Sequence, residues 1–147
     1  MAPDSGPRSV RNLEIWRVGI ELVKGVYEAT RGWPREELYG LTNQVRRAAV
    51  SVPANLAEGI GRGTAAEAAR FAHIALGSLY ELDTLLEVGD SLGYGVPDDI
   101  RVKLGRLTRQ FSAFVQHQRL VASRIDPQAT SHKPRALTHS PPDTGSA

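Results

Sequence analysis

The chain has 147 residues and a mass of 16.0 kDa, which is about the size of one domain. Its composition, 41% hydrophobic and 23% charged, permits a globular core and argues against disorder of the whole chain. The absence of cysteine excludes a disulfide scaffold, thiolate catalysis and a cysteine-ligated metal centre. The formal net charge of +2 is too small to indicate a nucleic-acid partner by itself.

The N-terminal segment, residues 1–11, is rich in proline, serine and glycine and is predicted to be disordered. It contains no apolar stretch of the signal-peptide type. No window of the chain approaches the run of about 20 apolar residues that a membrane helix needs. We therefore expect a cytoplasmic protein that has no membrane partner.

A first helix is predicted over residues 13–30, because apolar residues recur there at intervals of three or four. The side chains expected to face the core are Leu13, Trp16, Ile20, Val23 and Tyr27. The tripeptide Gly32-Trp33-Pro34 ends this helix, and Pro34 suits the first turn of the next one.

A second helix is predicted over residues 36–60, with a kink at its internal Pro53. Its expected apolar stripe consists of Leu41, Val45, Ala48, Val52 and Leu56. A polar stripe follows the same helical spacing on another face. Its members are Gln44, Arg47, Ser51, Asn55, Glu58 and Arg62. Two interpretations are open: a groove that binds a ligand or nucleic acid, or a hydrogen-bonded seam between helices or subunits.

Three alternate glycines, Gly59, Gly61 and Gly63, follow the polar stripe. They indicate the C-terminal cap of the second helix and a tight turn, with an incidental anion site as the alternative. The sequence Thr64-Ala65-Ala66-Glu67 has the form of a capping box and opens a third helix that continues to Leu92.

The third helix is apolar over more than half of its circumference. Its expected core residues are Ala68, Phe71, Ala75, Leu79, Leu82 and Leu86, and the flanking apolar residues are Ile74, Leu85, Val88 and Leu92. A single bundle face does not require so wide an apolar surface. The width favours homo-oligomerisation, and the alternative is that alanine was selected for helix propensity.

A fourth helix is predicted after Gly93-Tyr94-Gly95, and Pro97, Asp98 and Asp99 suit its N-terminus. The expected core stripe is Ile100, Leu104, Leu107, Phe111, Phe114, Val121 and Ile125. Residues 126–147 form a Pro/Ser/Thr-rich tail that is predicted to be disordered. Four helices with short connections, within a domain of residues 12–125, predict an all-α, antiparallel up-down-up-down four-helix bundle.

Charge is segregated along the chain. Residues 63–100 contain one cation and seven acidic residues, whereas residues 101–147 contain eight cations and two acidic residues. Lys103, Arg106 and Arg109 step by three along the fourth helix, and arginine binds phosphate through two N–H groups at once. The basic helix therefore fits either a phosphate-bearing partner or the acidic third helix.

No catalytic or metal-binding pattern is recognisable. The four histidines lack metal-ligand spacing, and His73 on the third helix is more typical of a boundary residue than of a ligand. No nucleophile motif and no paired-carboxylate arrangement is found either. We expect a protein that is not an enzyme and needs no metal and no cofactor.

Four segments together resemble one known family. They are WPREELYGLTNQVRRAAVSVPANLAEG at residues 33–59, LEIW at 13–16, IALGSLYEL at 74–82 and Gly93-Tyr94. Over residues 12–124 the chain is similar to the four-helix-bundle proteins encoded in 23S rRNA intervening sequences. The positions that match the family motif are Gln44, Arg46, Arg47, Pro53, Asn55, Glu58, Gly59 and Arg62.

This resemblance implies a bacterial, non-catalytic bundle that assembles into a ring-shaped homo-oligomer, specifically a pentamer. It also implies kinship with the accessory variability determinant of diversity-generating retroelements, which binds nucleic acid and a reverse transcriptase. RNA or DNA is therefore an expected partner, and a reverse transcriptase is expected if the gene belongs to a retroelement. The candidate nucleic-acid-binding residues are Arg46, Arg47, Arg62, Arg101, Lys103, Arg106 and Arg109. The alternative is a protein-interaction scaffold whose polar stripe and alanine-rich face serve subunit or partner contacts.

Overall fold

The computed structural model describes residues 9–127, which form four α-helices and no β-strand. The helices are α1 (Glu14–Thr30), α2 (Leu41–Gly61), α3 (Ala65–Ser91) and α4 (Asp98–Ile125). The predicted all-α class with four helices is confirmed. One 3-10 turn, Val10–Asn12, precedes α1 at the end of the segment predicted to be disordered. The remainder of that segment and nearly all of the predicted C-terminal tail lie outside the described residues.

Each helix packs against two neighbours. In the described part of the chain α1 contacts α2 and α4, α3 contacts the same two helices, and neither diagonal pair makes contact. Contacts between neighbours run in opposite directions along the two helices. Gly19 of α1 lies against Pro53 of α2, whereas Tyr27 near the end of α1 contacts the earlier Arg46. The pattern fits the predicted up-down-up-down bundle.

The core stripes predicted for α2 and α3 are largely confirmed. All six predicted core residues of α3 are at most 7% exposed, and Val45, Ala48, Val52 and Leu56 of α2 are at most 5% exposed. Leu41 is half-buried at the start of α2. Thr64 caps the start of α3 as predicted, since its hydroxyl accepts a hydrogen bond from the Glu67 N–H at 3.2 Å, while the Glu67 carboxylate pairs with Arg70.

The buried face predicted for α1 is only partly right, since Leu13, Trp16 and Val23 pack against the core but are not fully buried. The buried residues are Gly19, Leu22, Val26 and Thr30, whereas Tyr27 is 41% exposed. Trp16, Ile20 and Val23 are half-buried at the edge of this face. Two glycines of α1 lie on the sides that face its neighbours, Gly19 against Pro53 of α2 and Gly25 against Ile100 of α4. A Cβ on Gly25 would come within 2.5 Å of Ile100 on α4.

Two further boundaries differ from the prediction. Residues 35–37 form a separate 3-10 turn, so α2 begins at Leu41 rather than at residue 36. In α4 the predicted core residue Ile125 is 77% exposed, and Val115, which was not predicted, is buried. Phe114 and Val121 are half-buried. Since α1 is much shorter than α4, it does not cover the last turns of α4.

A polar and aromatic cluster ties the α1–α2 connection to the α3–α4 connection. The indole N–H of Trp33 donates to the carbonyl oxygen of Gly95 at 3.0 Å, and the Trp33 and Tyr94 ring centroids are 5.5 Å apart. The Tyr94 hydroxyl donates to Glu37 Oε1 at 3.3 Å. Burial, followed by the negative charge of Glu37, raises the pKa of Tyr94 above its ordinary value. Tyr94 therefore stays a neutral donor to Glu37.

Candidate nucleic-acid interface

The polar stripe of α2 lies along the seam between α2 and α3. The Ser51 hydroxyl hydrogen-bonds to the Ser78 hydroxyl of α3, and the Asn55 side-chain N–H donates to the Ser51 carbonyl oxygen at 2.8 Å. Both residues are half-buried, whereas Gln44 and Arg47 are exposed. The middle of the stripe is thus a hydrogen-bonded helix–helix seam, and its N-terminal part is open surface.

The C-terminal end of the stripe is an ion-pair cluster. Arg62 contacts Glu58 at 3.1 Å and Glu67 at 4.0 Å, and Glu67 also pairs with Arg70 at 3.1 Å. Both guanidinium groups lie over the ring of Phe71, at 4.9 Å and 4.5 Å from its centroid. Arg62, a candidate nucleic-acid contact, is therefore engaged within the α2–α3 hairpin.

The family-motif residues Gly59 and Pro53 have packing roles. A Cβ on Gly59 would lie 2.7 Å from Phe71 Cβ and 3.2 Å from the Cα of Ala68, so only glycine allows α2 and α3 to approach this closely. Pro53 is buried against Gly19 of α1. After Gly59 the helix ends in a turn in which Gly63 adopts φ +84°, as the cap interpretation predicts.

Two of the candidate cations on α4 are paired with acidic residues. Arg101 reaches Glu87 and Asp90 of α3, each at 3.0 Å. The hydrogen bond that Arg101 donates to Glu87 makes the largest contribution to raising the pKa of Arg101, so the guanidinium stays charged. Arg106 instead contacts Glu14 of α1 at 3.3 Å. The acidic third helix and the basic fourth helix are thus joined through Arg101.

The other two α4 candidates carry uncompensated charge. Lys103 is half-buried and Arg109 is exposed, and neither forms an ion pair with any residue between 9 and 127. On α2, the exposed Arg47 likewise forms no ion pair with any described residue. Since α2 and α4 are diagonal in the bundle, the structure does not bring the cations of these two helices into one continuous patch.

The arrangement can be compared with known proteins. Residues 11–113, from the turn before α1 to the middle of α4, match the family described as 23S rRNA-intervening sequence protein. The chain belongs to this family. The predicted resemblance is therefore confirmed. No curated protein matches the chain.

This family member has a shallow groove that contains two residues of the polar stripe, Arg47 and Ser51, together with residues that the sequence did not single out. It lies over the α1–α2 side of the bundle and has a volume of about 620 Å³. Its lining residues are Tyr27, Leu38, Tyr39, Asn43, Arg46, Arg47, Val50 and Ser51. Arg46 and Arg47, both candidate nucleic-acid contacts, are thereby placed beside aromatic and apolar side chains. The signal in the sequence is that Leu38 and Tyr39 are large residues lying off the apolar stripe of α2.

The outer surface of α3 exposes further apolar side chains. Ile74 and Val88 are each 43% exposed, and Leu92 is 58% exposed. They belong to the flanking set from which oligomerisation is predicted, and about half of each side chain stays exposed in the part of the chain that the structure describes. Leu85, the fourth member, is half-buried against the core.

Two general features complete the description of this family member. Between residues 9 and 127, no three His, Asp or Glu side chains are grouped so that they could hold a metal ion. In the same part of the chain, none of the helices combines the length and apolarity that a bilayer crossing requires.

Proposed function

We propose that this protein is a non-catalytic, homo-oligomeric helical bundle that associates with nucleic acid as a scaffold or accessory protein. The supporting observation is that three of the candidate cations form no ion pair with any residue between 9 and 127: Arg47 on α2, and Lys103 and Arg109 on α4. An unpaired guanidinium can bind two phosphate oxygens without first breaking an ion pair. The family is named after intervening sequences of 23S rRNA, which adds an RNA context to this charge.

The exposed ion pairs do not prevent such binding. Arg106 and Glu14 have side chains that are 59% and 64% exposed, and exposed pairs of this kind contribute at most about 1 kcal/mol. A phosphate can therefore replace Glu14 at little cost. Arg101 is a weaker candidate, because two acidic residues hold it and its side chain is only 32% exposed.

The proposal is tested with structured RNA and DNA by fluorescence anisotropy at several salt concentrations. A variant combining Lys103→Gln, Arg106→Gln and Arg109→Gln should bind more weakly. Its affinity should also depend less on salt, because each lost phosphate contact lowers the log–log slope by about 0.7–0.9. A matched variant, Arg17→Gln with Lys24→Gln and Arg31→Gln, removes the same charge from exposed positions on α1 and directly after its C-terminal end, and should bind much as the unmodified protein does.

Two results would contradict the proposal. One is that neither RNA nor DNA binds the protein at low salt. The other is that the α4 variant and the α1 variant lose affinity equally, since the effect would then depend on net charge and not on a particular face.

The alternative is a protein-interaction scaffold that does not bind nucleic acid. The exposed Ile74, Val88 and Leu92 on α3 favour it, because large uncovered apolar residues on one helix are typical of protein interfaces. A retroelement reverse transcriptase is the partner implied by the relation to the accessory determinant. Co-purification of that enzyme, with no nucleic-acid binding by the protein itself, would select this alternative.

A further inference from the structure

The groove on the α1–α2 side combines aromatic rings and positive charge. It contains two tyrosines, Tyr27 and Tyr39, and two arginines, Arg46 and Arg47, while none of its lining residues is acidic. Asn43 and Ser51 add polar groups, and the volume of about 620 Å³ falls in the usual range of small-ligand sites. The groove therefore suits a ligand that has a flat ring and a negative charge.

Tyr39 is the most exposed large side chain of the groove. It is 92% exposed, and its ring packs on no other aromatic ring or cation among the described residues. Both ring faces are consequently available to a ligand. Because this aromatic side chain stays in water, it contributes almost no hydrophobic free energy to folding.

The turn that carries Tyr39 is held from both sides. Glu37 Oε2 accepts the N–H of Leu41 at 2.9 Å, and the Glu37 carbonyl oxygen accepts the N–H of Gly40 at 2.9 Å. The other carboxylate oxygen of Glu37 accepts the Tyr94 hydroxyl. The backbone on either side of Tyr39 is thus ordered before a ligand arrives, which reduces the entropy lost on binding.

Arg46 is likewise fixed in place. Its guanidinium lies 4.5 Å from the centroid of the Tyr27 ring, and its Nε donates to the Thr30 hydroxyl at 3.0 Å. Tyr27 is therefore partly covered by Arg46, so Tyr39 is the ring open to stacking. Arg47 is exposed and has no side-chain partner in the described chain, so it is free to contact a phosphate.

We propose that this groove binds an unpaired nucleotide of RNA or DNA, with the base stacked on Tyr39 and the adjacent phosphate held by Arg47 and Arg46. This inference rests on the proposed function and specifies its ligand as single-stranded nucleic acid. A single strand fits because its bases present free faces, whereas duplex bases are already stacked on one another. A basic aromatic groove that follows the backbone is the usual arrangement of single-strand binders.

The first experiment compares single-stranded RNA, single-stranded DNA and a duplex of the same sequence by fluorescence anisotropy. The unmodified protein should prefer the single strands. The ratio of its affinities for RNA and DNA shows which of the two is the natural ligand. Tyr39→Ala should weaken single-strand binding by about 5- to 100-fold, because loss of one base–aromatic stacking contact typically lowers the affinity by such a factor. Tyr39→Phe keeps the ring and should retain most of the affinity.

The matched control is Tyr80→Ala, which removes another exposed tyrosine, 60% exposed, from α3 outside the groove. It should not change binding. Arg47→Gln should weaken binding and lower the log–log salt slope for single strands by about 0.7. A further readout is a Tyr39→Trp variant, whose added indole fluorescence should be quenched by a stacked base and not by a duplex.

The outcomes separate this inference from the broader proposal. If nucleic acid binds but Tyr39→Ala has no effect, or the duplex binds as tightly as the single strands, the groove is not the site and the inference is wrong while the proposed function stands. If no nucleic acid binds at low salt, both are wrong. Loss of affinity in Tyr39→Ala, with retention in Tyr39→Phe and Tyr80→Ala, supports the inference.

Discussion

At the scale of single residues, the glycines of α3 show how closely the bundle is packed. A Cβ on Gly89 would lie 2.4 Å from the Trp33 ring, whereas a Cβ on Gly77 would meet nothing within 4 Å. Two glycines of one helix therefore have opposite roles. Gly89 leaves space for the Trp33 indole, which joins the α1–α2 connection to the α3–α4 connection. Gly77 has no such role and only makes the helix less stable.

This contrast gives a matched pair of variants. Gly89→Ala should lower the free energy of unfolding by about 1–3 kcal/mol, because the indole must move. Gly77→Ala should raise it by about 0.5–1 kcal/mol, because alanine is the better helix former and fits the space. Urea denaturation followed by circular dichroism measures both. Equal stabilisation by the two substitutions would show that Trp33 does not occupy this position.

At the scale of helices, charge joins α3 to α4. The two acidic residues that hold Arg101 lie one turn apart on α3, and the hydrogen bonds from Arg101 cross the interface between the helices. Arg101 thus pairs the positive charge of α4 with the negative charge of α3 within one chain. Farther along α4, Arg106 pairs with Glu14 of α1, whereas Arg109 is exposed and forms no ion pair among the described residues.

The contribution of this bridge should be small and dependent on salt. Arg101→Gln should lower the free energy of unfolding by up to about 1 kcal/mol, since the pairs are partly screened by water. The loss should shrink at high salt. Arg109→Gln, on the same helix but without an ion pair, should change stability by less than about 0.5 kcal/mol. Urea denaturation at low and high salt compares the variants, and identical effects of both would contradict the bridge.

At the scale of the whole molecule, the outer face of α3 is the surface best suited to self-association. Its Ile74, Val88 and Leu92 are about half exposed in the described part of the chain. Covering the exposed part of each contributes a share of the about 1.5–3 kcal/mol that full burial of such a side chain provides. Covering several of them in a symmetric assembly is a direct way of obtaining that stabilisation.

We therefore expect a mass in solution that is a multiple of the 16.0 kDa chain, five times that value for the pentamer that the family resemblance implies. Ile74→Asp combined with Val88→Asp should lower this mass, because a carboxylate is costly to bury in an interface. The control is Val102→Asp, at a 72% exposed position of α4, which should leave the mass unchanged. Sedimentation equilibrium measures all three proteins. A stable monomer of the unmodified protein would contradict the assembly.

Periodicity in the sequence was sufficient to predict the four helices and two of the core stripes. It succeeded for α2 and α3 because their buried residues are mostly aliphatic or alanine and recur at helical spacing. It was only partly right for α1, where Gly19 is buried against Pro53 and Gly25 lies against Ile100 of α4. Glycine carries no hydrophobic signal, so a face defined by close approach is invisible to a hydrophobic pattern.

The candidate site was predicted in part. The sequence identified Arg46 and Arg47 as basic residues of the family motif, but Tyr39 was assigned to the body of α2. The true start of α2 depends on the side chain of Glu37, which is hydrogen-bonded to Tyr94 from a distant connection. A contact between residues so far apart in sequence cannot be read from local propensity.

The sequence by itself determined the helices, the family and the segregation of charge, because each depends on residue types at short spacing. The tertiary structure decided which charges remain available. It paired Arg101 and Arg106 with acidic residues of neighbouring helices and left Arg47 and Arg109 without acidic partners among the described residues. It also brought Tyr27 of α1 and Tyr39 beside the arginines of α2. These outcomes depend on how the helices face one another, and that arrangement is set by packing over the whole core.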